Sequence, residues 1–422
     1  MRLSPAAHFR GRFALPGDKS LCHRLAILGA LAEGETRLGN FSTAADCAST
    51  LACLAQLGVE IRRDGVSVAV RGRGPDALQP SPGPLDAGNS GSTLRMLAGV
   101  LAGRPFRSVL TGDDSLRRRP VERVAAPLRA MGASVATSEG RPPLTVEGGA
   151  LRGIAWELPV ASAQVKTAVL LAGLQAQGTT SVTEPAPSRD HTERLLPAFG
   201  IVVERSGRAI SLRGGGTLRA VQLDVPGDVS SAAFLVVAGL VLPRGDVLVE
   251  NVLLNPQRTA FLAVLQAMGG RIETGVSETE PEPVGWIRAR ASRLHTVEIA
   301  PAAVPALIDE IPALAVAAAH ASGRFTLTGA QELRVKESDR IAALCEGLAR
   351  MGAAIDERED GFVLDAGRPL RGASVRCHGD HRIAMALSVA ALAARGESEI
   401  EAAECVAVSF PEFYALLRRG TR

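Results

Sequence analysis

The sequence has few aromatic residues, no closely paired cysteines and no large excess of charge of one sign. Aromatic residues make up 3% of the 422 residues, so alanine, leucine and valine must build the core. The formal net charge is +3, which argues against a protein that binds nucleic acid through a strong basic excess. The six cysteines form no C-x-x-C pair and indicate neither a zinc site nor a disulfide framework, so we expect reduced thiols.

Long apolar runs are also missing from the chain. The longest, such as AAFLVVAGLVL over 232–242, are too short to span a bilayer and are typical of buried helices. The first 13 residues lack the apolar stretch of a signal peptide. We therefore expect a cytoplasmic protein with no membrane association.

What the sequence does contain is a repeat of about 70 residues, marked by glycines after alanine-rich helical segments. The first series of these segments is predicted to end at Gly34, Gly103, Gly178, Gly245, Gly323 and Gly396. A second series, most of whose members precede two short β-like runs, ends at Gly58, Gly132, Gly200, Gly269 and Gly352. Each repeat predicts helix, strand, helix and hairpin, and six repeats predict two halves of three.

Charged and polar residues interrupt the starts of these helices. In LPGDKSLCHR (15–24), either Asp18 or Ser20 can cap a helix whose first turns carry Lys19 and Arg24. Free backbone N–H groups and the helix dipole favour an anion at this position. The alternative is a solvated first turn without function.

Similar starts recur along the chain. AGNSGSTLR begins one helix and ASAQVKTA begins another, and an ordinary Gly-Asn turn with a hydroxyl cap is an alternative for the former. IDEIPALAV begins a later helix, where capping alone could explain Asp309. HGDHRIAMA contains an H-x-x-H pair, but no third ligand is evident, so we expect no metal.

Two further charged clusters lie outside that series. LTGDDSLRRRPVE places three arginines before Pro120, where a helix can start. RVKESDR alternates charge at another predicted helix start, with Lys336 and Arg340 on one face, although a surface ladder of ion pairs would explain it equally. If the helix starts of both halves face one cleft, they form a site for two small anionic substrates with acid and base groups at hand.

Taken together, nine ordered motifs resemble the EPSP synthase (3-phosphoshikimate 1-carboxyvinyltransferase) family. They are PGDKSLCHR, AGNSGSTLR, TGDDSLRRRP, SAQVKTA, PSRDHTERL, PGDVSSA, IDEIPALA, RVKESDR and GDHRIAMA. The resemblance extends from about residue 12 to the end of the chain, and so many motifs in order make a chance match very improbable.

The resemblance implies a mixed α/β (α+β) fold of two lobes, an inside-out α/β barrel with three βαβαββ repeats in each lobe. The first lobe would comprise 14–226, and the second 1–13 with 227–422. Two crossover linkers would lie near 12–16 and 224–229, the second at a recurrence of the Pro-Gly-Asp sequence of 16–18. The resemblance also implies that the lobes close around substrate.

The implied reaction transfers the enolpyruvyl group of phosphoenolpyruvate to the 5-hydroxyl of shikimate 3-phosphate and releases phosphate. It belongs to the shikimate pathway of aromatic amino acid biosynthesis. The resemblance implies a monomer without metal or organic cofactor, whose partners are these two small molecules and not nucleic acid. The small residue Gly91 is associated in the family with sensitivity to glyphosate.

The resemblance also implies roles for individual residues. Asp309 would be the base at the 5-hydroxyl, Glu337 its acid partner, and Lys19 an aid to proton transfer. Shikimate 3-phosphate would contact Lys19, Ser20, Arg24, Ser162, Ala163, Gln164, Ser188, Asp309 and Lys336. Phosphoenolpyruvate would contact Lys19, Asn89, Gly91, Arg119, Gln164, Arg340 and Arg382.

The chain departs from the family pattern at three positions. Ala163 stands where some members have a second serine, and Cys22 replaces a common serine. Val408 stands where some members have a lysine that contacts phosphoenolpyruvate, so no site residue is assigned there.

Three other functions compete with this reading. The sister enzyme that acts on UDP-N-acetylglucosamine carries a cysteine in the loop matching Thr111–Pro120 and an SGAKNA-like opening, and both are missing here. A non-catalytic protein that binds phosphorylated metabolites is disfavoured by a set of residues that occur together, namely Lys19, Asp309, Glu337, Arg340 and Arg382. An RNA-end-processing enzyme with related repeats should show nucleotide-binding features, and none stands out.

Overall fold

The structure is a computed structural model that describes all 422 residues, Met1–Arg422. Its α-helices are α1 Lys19–Leu31, α2 Ala45–Gln56, α3 Gly91–Leu101, α4 Asp114–Arg117, α5 Glu122–Ala130, α6 Ala163–Gly173, α7 His191–Ala198, α8 Val229–Val241, α9 Ala260–Ala267, α10 Val304–Leu307, α11 Ile311–Ala319, α12 Arg340–Arg350, α13 His381–Ala393 and α14 Phe413–Gly420. Short 3₁₀-helices cover Pro75–Ala77, Pro301–Ala303, Gln331–Val335 and Ala403–Val408.

The strands are short and numerous. They are β1 Arg2–Leu3, β2 Arg10–Ala14, β3 Glu33–Gly39, β4 Glu60–Asp64, β5 Ser67–Arg73, β6 Leu85–Asp86, β7 Arg107–Thr111, β8 Ser134–Ser138, β9 Arg141–Glu147, β10 Ala155–Glu157, β11 Thr179–Thr183, β12 Val203–Ser206, β13 Ala209–Arg213, β14 Gln222–Asp224, β15 Asp246–Leu253, β16 Arg271–Glu278, β17 Val284–Arg290, β18 Glu298–Ile299, β19 Arg324–Leu327, β20 Ala354–Arg358, β21 Gly361–Asp365, β22 Ser374–Arg376 and β23 Ser398–Glu401.

The chain divides into two compact units. We call Pro16–Val225 with Glu280–Glu282 the N-terminal unit, and Met1–Leu15, Pro226–Thr279 and Pro283–Arg422 the C-terminal unit. Each unit contains three small mixed sheets, and all six sheets are separate.

The N-terminal unit has three four-stranded sheets, ordered β14-β3-β5-β4, β6-β7-β9-β8 and β10-β11-β13-β12. In each sheet the first pair is parallel and the other pairs are antiparallel. A parallel pair needs a helical crossover, and α3 and α6 supply it in the second and third sheets. In the first sheet the parallel strand β14 comes from the far end of the unit, with Leu223 opposite Leu38.

The C-terminal unit repeats this plan with one change. Its sheets are ordered β16-β17-β15-β2, β18-β19-β21-β20 and β1-β23-β22. Strand β2 is parallel to β15, so this sheet also takes one strand from a distant part of the chain. The last sheet has three strands, because the antiparallel β1 takes the place of a hairpin beside β23.

The predicted order of helix, strand, helix and hairpin is confirmed. It is seen in α1, β3, α2 and the β4–β5 hairpin, and again in α8, β15, α9 and the β16–β17 hairpin. The last repeat ends instead in a 3₁₀-helix and α14. The mixed fold of small sheets and crossover helices is the one that the resemblance implied.

The prediction that the first-series helices end at their glycines is wrong. Helix α1 ends at Leu31, and Gly34 lies inside β3. Four glycines of this series, Gly34, Gly178, Gly323 and Gly396, do have the predicted positive φ angles, but Gly103 and Gly245 do not. The glycines of the second series do, with φ between 87° and 111°, because they directly follow the last turn of a helix and reverse the chain into a strand.

Several helices are buried on all sides, as the uniform apolar runs predicted. All thirteen residues of α8 except Val241 are buried, and α11 is buried along its full length. No single helix is long and apolar enough to cross a bilayer. One bent pair, Pro301–Leu307 with Ile311–Ala319, passes by length and composition alone.

Helices α3 and α6 approach so closely that a glycine is required at their contact. A Cβ added to Gly99 would lie 2.2 Å from the carbonyl oxygen of Ala168, a backbone atom that cannot rotate away. We expect Gly99→Ala to lower the free energy of unfolding by about 1–3 kcal/mol, because overpacking outweighs the gain in helix propensity.

Urea or thermal unfolding of the purified protein measures this effect. Gly149→Ala is the matched control, since its Cβ meets no atom within 4 Å. That variant should be neutral or slightly stabilised. Equal stability of the two variants would contradict the close packing of α3 on α6.

Candidate active site

Helix α1 begins at Lys19, as predicted, and Asp18 is its N-cap. The Asp18 carboxylate accepts a hydrogen bond of 2.9 Å from the backbone N–H of Leu21. The Lys19 ammonium donates to Oδ2 of Asp46, in the first turn of α2, at 2.8 Å. Only 16% of the Lys19 side chain and 8% of that of Asp46 are exposed, so this is a largely desolvated ion pair.

Arg24 lies one turn further along α1 and is buried. Its Nε donates to Oγ1 of Thr192 at 2.9 Å, and its Nη2 donates to Oγ1 of Thr167 at 3.0 Å. Its Nη1 donates to the backbone carbonyl of Ser20 at 2.8 Å. The guanidinium thus joins α1 to α6 and α7, and its orientation is fixed by hydroxyl groups.

Asn89 and Arg119 form a second group at the start of α3. Nη2 of Arg119 donates to Oδ1 of Asn89 at 2.7 Å and to Oγ of Ser115 at 3.0 Å. Arg119 is 7% exposed. The helix expected to start at Pro120 begins two residues later as α5, and the short helix α4 precedes the proline.

Gln164 belongs to the same group through Arg95. Nη1 of Arg95 donates to Oε1 of Gln164 at 3.0 Å, and Nε2 of Gln164 donates to Oγ of Ser92 at 2.9 Å. A Cβ at Gly91 would lie 2.3 Å from Nη1 of Arg95 and 3.7 Å from Nη1 of Arg119. The glycine therefore lets two guanidinium groups approach the N-terminus of α3.

Ser162 and Ser188 flank a buried ionic cluster. Ser162 is the N-cap of α6, which begins at Ala163, and its hydroxyl accepts from the N–H of Val165 at 3.4 Å. The Ser188 hydroxyl donates to Oε1 of Glu184. Oε2 of the same glutamate accepts from Nζ of Lys166 at 2.6 Å.

The cluster around Lys166 contains a second glutamate. Nζ of Lys166 lies 2.7 Å from Oε1 of Glu193, and both side chains are 1% exposed. Burial raises the pKa of Glu193, although Lys166 opposes this shift. The lysine therefore stabilises two buried carboxyl groups, one of which holds Ser188.

A chain of side-chain hydrogen bonds links α1, α2 and α3 of the N-terminal unit. Nδ1 of His23 lies 2.7 Å from Oγ1 of Thr50, which lies 2.6 Å from Oγ1 of Thr93. Thr93 in turn donates to Oγ of Ser90, the N-cap of α3, at 2.7 Å. Burial first, then Lys19 and Arg24, lower the pKa of His23, so this chain is built on a neutral imidazole.

In the C-terminal unit, Arg340 is the centre of the candidate site. Its Nε donates to Oδ2 of Asp380 at 2.8 Å, and its Nη2 donates to Oε2 of Glu337 at 2.6 Å. Its Nη1 lies 3.3 Å from Oδ1 of Asp309. Burial alone would lower the pKa of the Arg340 guanidinium, but its three carboxylate partners outweigh burial and raise it above its usual range.

Arg382 also contacts Asp309, at its carbonyl and its second carboxylate oxygen. Its Nη1 donates to the Asp309 carbonyl at 2.8 Å, and its Nη2 lies 3.6 Å from Oδ2 of the carboxylate. Arg382 is placed by Asp380, which caps α13 and accepts from the N–H groups of Arg382 and Ile383. Two guanidinium groups therefore flank the Asp309 carboxylate and stabilise its ionised form.

Two details of this region differ from prediction. Helix α12 begins at Arg340 with Asp339 as its N-cap, so Lys336 lies before the helix and does not share a helix face with Arg340. Glu310 occupies the N-cap position of α11 but makes no capping bond. Its carboxylate instead accepts from the Ser230 hydroxyl.

The structure adds residues that sequence reasoning had not selected. Each holds a selected side chain from another element: Asp46 for Lys19, Thr167 and Thr192 for Arg24, Arg95 for Gln164, Glu184 for Ser188, and Asp380 for Arg340. For some of them, such as Thr167 in α6, the sequence offered one signal, a polar residue within an apolar helix. The chain has three lysines. Lys19 and Lys336 are selected site residues, and Lys166 pairs with Glu184, which holds the selected residue Ser188.

The buried cluster predicts a large effect of removing its cation. Lys166→Met keeps the side-chain volume but leaves Glu184 and Glu193 without their counter-charge, so the free energy of unfolding should fall by about 3–5 kcal/mol. Adding Glu193→Gln to this variant should restore part of the loss.

Denaturant unfolding at neutral pH measures both changes. Arg62→Met is the control, because it removes an exposed cation that pairs with Glu35 and should cost about 1 kcal/mol or less. Similar losses in Lys166→Met and Arg62→Met would show that the buried ion pairs contribute no more than surface ones.

Comparison with known proteins identifies the family of this chain. The family model of EPSP synthase (3-phosphoshikimate 1-carboxyvinyltransferase) matches residues 3–417. The chain is 51% identical over 418 residues to the 3-phosphoshikimate 1-carboxyvinyltransferase of Acidithiobacillus ferrooxidans, covering 99% of this chain and 96% of that protein. It is 47% identical over 424 residues to the protein of the same name from Brevibacillus brevis, covering 99% of both.

Solved structures give the same result. The EPSP synthase of Acinetobacter baumannii superposes with a TM-score of 0.87 at 44% identity, covering 99% of this chain and 96% of that one. The enolpyruvyl transferase NikO of Streptomyces tendae has a TM-score of 0.78 at 18% identity, with 99% and 96% covered, and so shares the fold. Because the family model and its relatives span nearly the whole sequence, the chain belongs to the EPSP synthase family.

Proposed function

We propose that this protein transfers the enolpyruvyl group of phosphoenolpyruvate to the 5-hydroxyl of shikimate 3-phosphate, releasing phosphate, in the shikimate pathway. The observation that carries the proposal is the Asp309 carboxylate flanked by Arg340 and Arg382 in a chain that belongs to this family. A base must be ionised to accept a proton, and two cations keep this one ionised.

The charges of the substrates match the groups that are present. Together the two substrates bring two phosphates and two carboxylates. Four arginines at selected positions can bind such groups through paired hydrogen bonds: Arg24, Arg119, Arg340 and Arg382. Lysines 19 and 336 add point charges.

We propose that phosphoenolpyruvate is bound by Arg119, Arg340 and Arg382. Asn89 and Gly91 would shape its pocket in the N-terminal unit, with Gln164 beside them. The support is that Asn89 already orients Arg119, and that Gly91 lets the guanidinium groups of Arg95 and Arg119 approach the N-terminus of α3.

We propose that shikimate 3-phosphate is bound mainly by hydroxyl and basic groups of the N-terminal unit. Ser162 and Ser188 would hold its phosphate, beside Ala163 and Gln164. Ser20 and Arg24 would face its carboxylate side, and Lys336 of the C-terminal unit would assist. Each helix start that carries these residues presents backbone N–H groups suited to an anion.

The chemistry follows from the acid and base groups. Glu337, aided by Lys19, would donate a proton to the methylene carbon of phosphoenolpyruvate, which leaves a cation-like carbon. Asp309 would take the proton of the 5-hydroxyl as its oxygen bonds to that carbon. The tetrahedral adduct then loses inorganic phosphate and a proton to give the enol ether.

The remaining properties are proposals of the same kind. The protein would act in the cytoplasm as a monomer on two small molecules, without nucleic acid, membrane or cofactor.

A phosphate-release assay tests the acceptor. Purified protein is mixed with phosphoenolpyruvate and either shikimate 3-phosphate or UDP-N-acetylglucosamine. We expect release with shikimate 3-phosphate alone, because the basic groups at the helix starts suit a small dianion. Release only with UDP-N-acetylglucosamine would replace the proposal with the sister activity, and no release with either would favour a binding protein.

Removal of the proposed base tests the mechanism. Asp309→Ala should lower turnover by about 10²–10⁴-fold while the KM for each substrate changes little, because the carboxylate acts mainly in the transition state. Asp365→Ala is the control, since that exposed carboxylate pairs only with the surface residue Arg324 and should leave turnover unchanged. Near-normal turnover of Asp309→Ala would remove Asp309 from the mechanism.

A further inference from the structure

Two cysteines of the C-terminal unit lie in direct contact. Sγ of Cys377 is 3.6 Å from Sγ of Cys405, although the two residues are 28 positions apart. Cys377 directly follows β22, and Cys405 lies in the 3₁₀-helix Ala403–Val408. An S–S bond is about 2.05 Å long, so a movement of about 1.5 Å joins these sulfurs.

The surroundings of the pair favour reaction at this site over the other thiols. Contact with the Cys405 thiol lowers the pKa of Cys377 more strongly than burial raises it, while contact with Cys377 and burial raise the pKa of Cys405. Cys405 is partly exposed, so a small oxidant can reach the pair. Cys345, in contrast, is buried, and burial raises its pKa to about 12.

Cys377 is also connected to the candidate active site. Its carbonyl accepts a hydrogen bond of 2.9 Å from the N–H of Asp380. The two residues between them, His378 and Gly379, form a tight turn with φ angles of 52° and 69°. Asp380 holds Arg340 and caps the helix that carries Arg382, so hydrogen bonds connect Cys377 to the residues that position both arginines.

We propose that Cys377 and Cys405 are a site of reversible oxidation, and that their disulfide lowers the activity of the enzyme by displacing the turn at Asp380. The oxidant is a hydroperoxide such as hydrogen peroxide. One thiolate attacks a peroxide oxygen, the O–O bond breaks, and a sulfenic acid forms as hydroxide takes up a proton. The neighbouring thiol attacks the sulfenic sulfur, the disulfide forms, and the oxygen leaves as a second molecule of water.

Such a site is compatible with a reducing cytosol, where the disulfides that do form are usually transient and regulatory. The effect on activity rests on the proposed function, whereas formation of the disulfide does not. Detection of the linked peptide tests disulfide formation, and the activity assay tests its effect on function.

The test starts from reduced enzyme with measured phosphate-release activity, so that failure of the proposed function is recognised first. After treatment with hydrogen peroxide, mass spectrometry of a non-reducing digest should show the Cys377 peptide linked to the Cys405 peptide. Activity should fall by about 10–100-fold, the cost expected for a misplacement of about 1 Å, and should return with dithiothreitol.

Variants identify the thiols responsible. Cys405→Ser and Cys377→Ser should keep their basal activity and resist peroxide, while Cys345→Ser should lose activity as the unmodified chain does. Three results would overturn the proposal: no linked peptide, a linked peptide with undiminished activity, or equal inactivation of Cys405→Ser. The last would place the damage at other thiols, such as Cys22 and Cys47 near Lys19.

Discussion

The C-terminal unit depends on one buried guanidinium. Arg340 is 1% exposed and holds three carboxylates, one each from the segment before its own helix, the start of α11 and the start of α13. Removing any partner from a buried ion cluster leaves uncompensated charge. Arg382 adds a second guanidinium beside Asp309. Arg340 therefore joins the starts of α11, α12 and α13 in one buried ionic cluster.

Two arginines of the N-terminal unit have neutral groups among their hydrogen-bond partners, although Lys19 and Lys166 of the same unit form ion pairs. The partners of Arg24 include two threonine hydroxyls and a carbonyl, and those of Arg119 include an amide and a serine hydroxyl. Such partners fix the orientation of a guanidinium. Arg340 is held by three carboxylates. Hydrogen bonds to neutral groups thus help to orient Arg24 and Arg119, and ion pairs orient Arg340.

Sequence reasoning succeeded where the structure is decided locally. A helix start depends on an N-cap side chain within three residues, and the helices predicted to begin in LPGDKSLCHR, AGNSGSTLR, ASAQVKTA and HGDHRIAMA do begin there. Their caps in the structure are Asp18, Ser90, Ser162 and Asp380. The start at Arg340 was misplaced, because the charge alternation of RVKESDR obscured its cap, Asp339. The partners that hold the site were out of reach. Lys19 and Asp46 are 27 residues apart, Arg340 and Asp380 are 40 apart, and Arg24 and Thr192 are 168 apart, and no local pattern encodes such pairs.

Many of the proposed anion ligands already have partners within their own unit, and this bears on selectivity. Ser188 donates to Glu184, Lys19 to Asp46 and Arg119 to Asn89. A substrate must therefore exchange these bonds for its own, and the net gain per bond is small unless the new acceptor carries more charge than the old one. A phosphate dianion meets that condition, whereas an uncharged acceptor does not. The internal partners thus keep the cations oriented when no ligand is bound. To displace them, a substrate must carry more negative charge than they do.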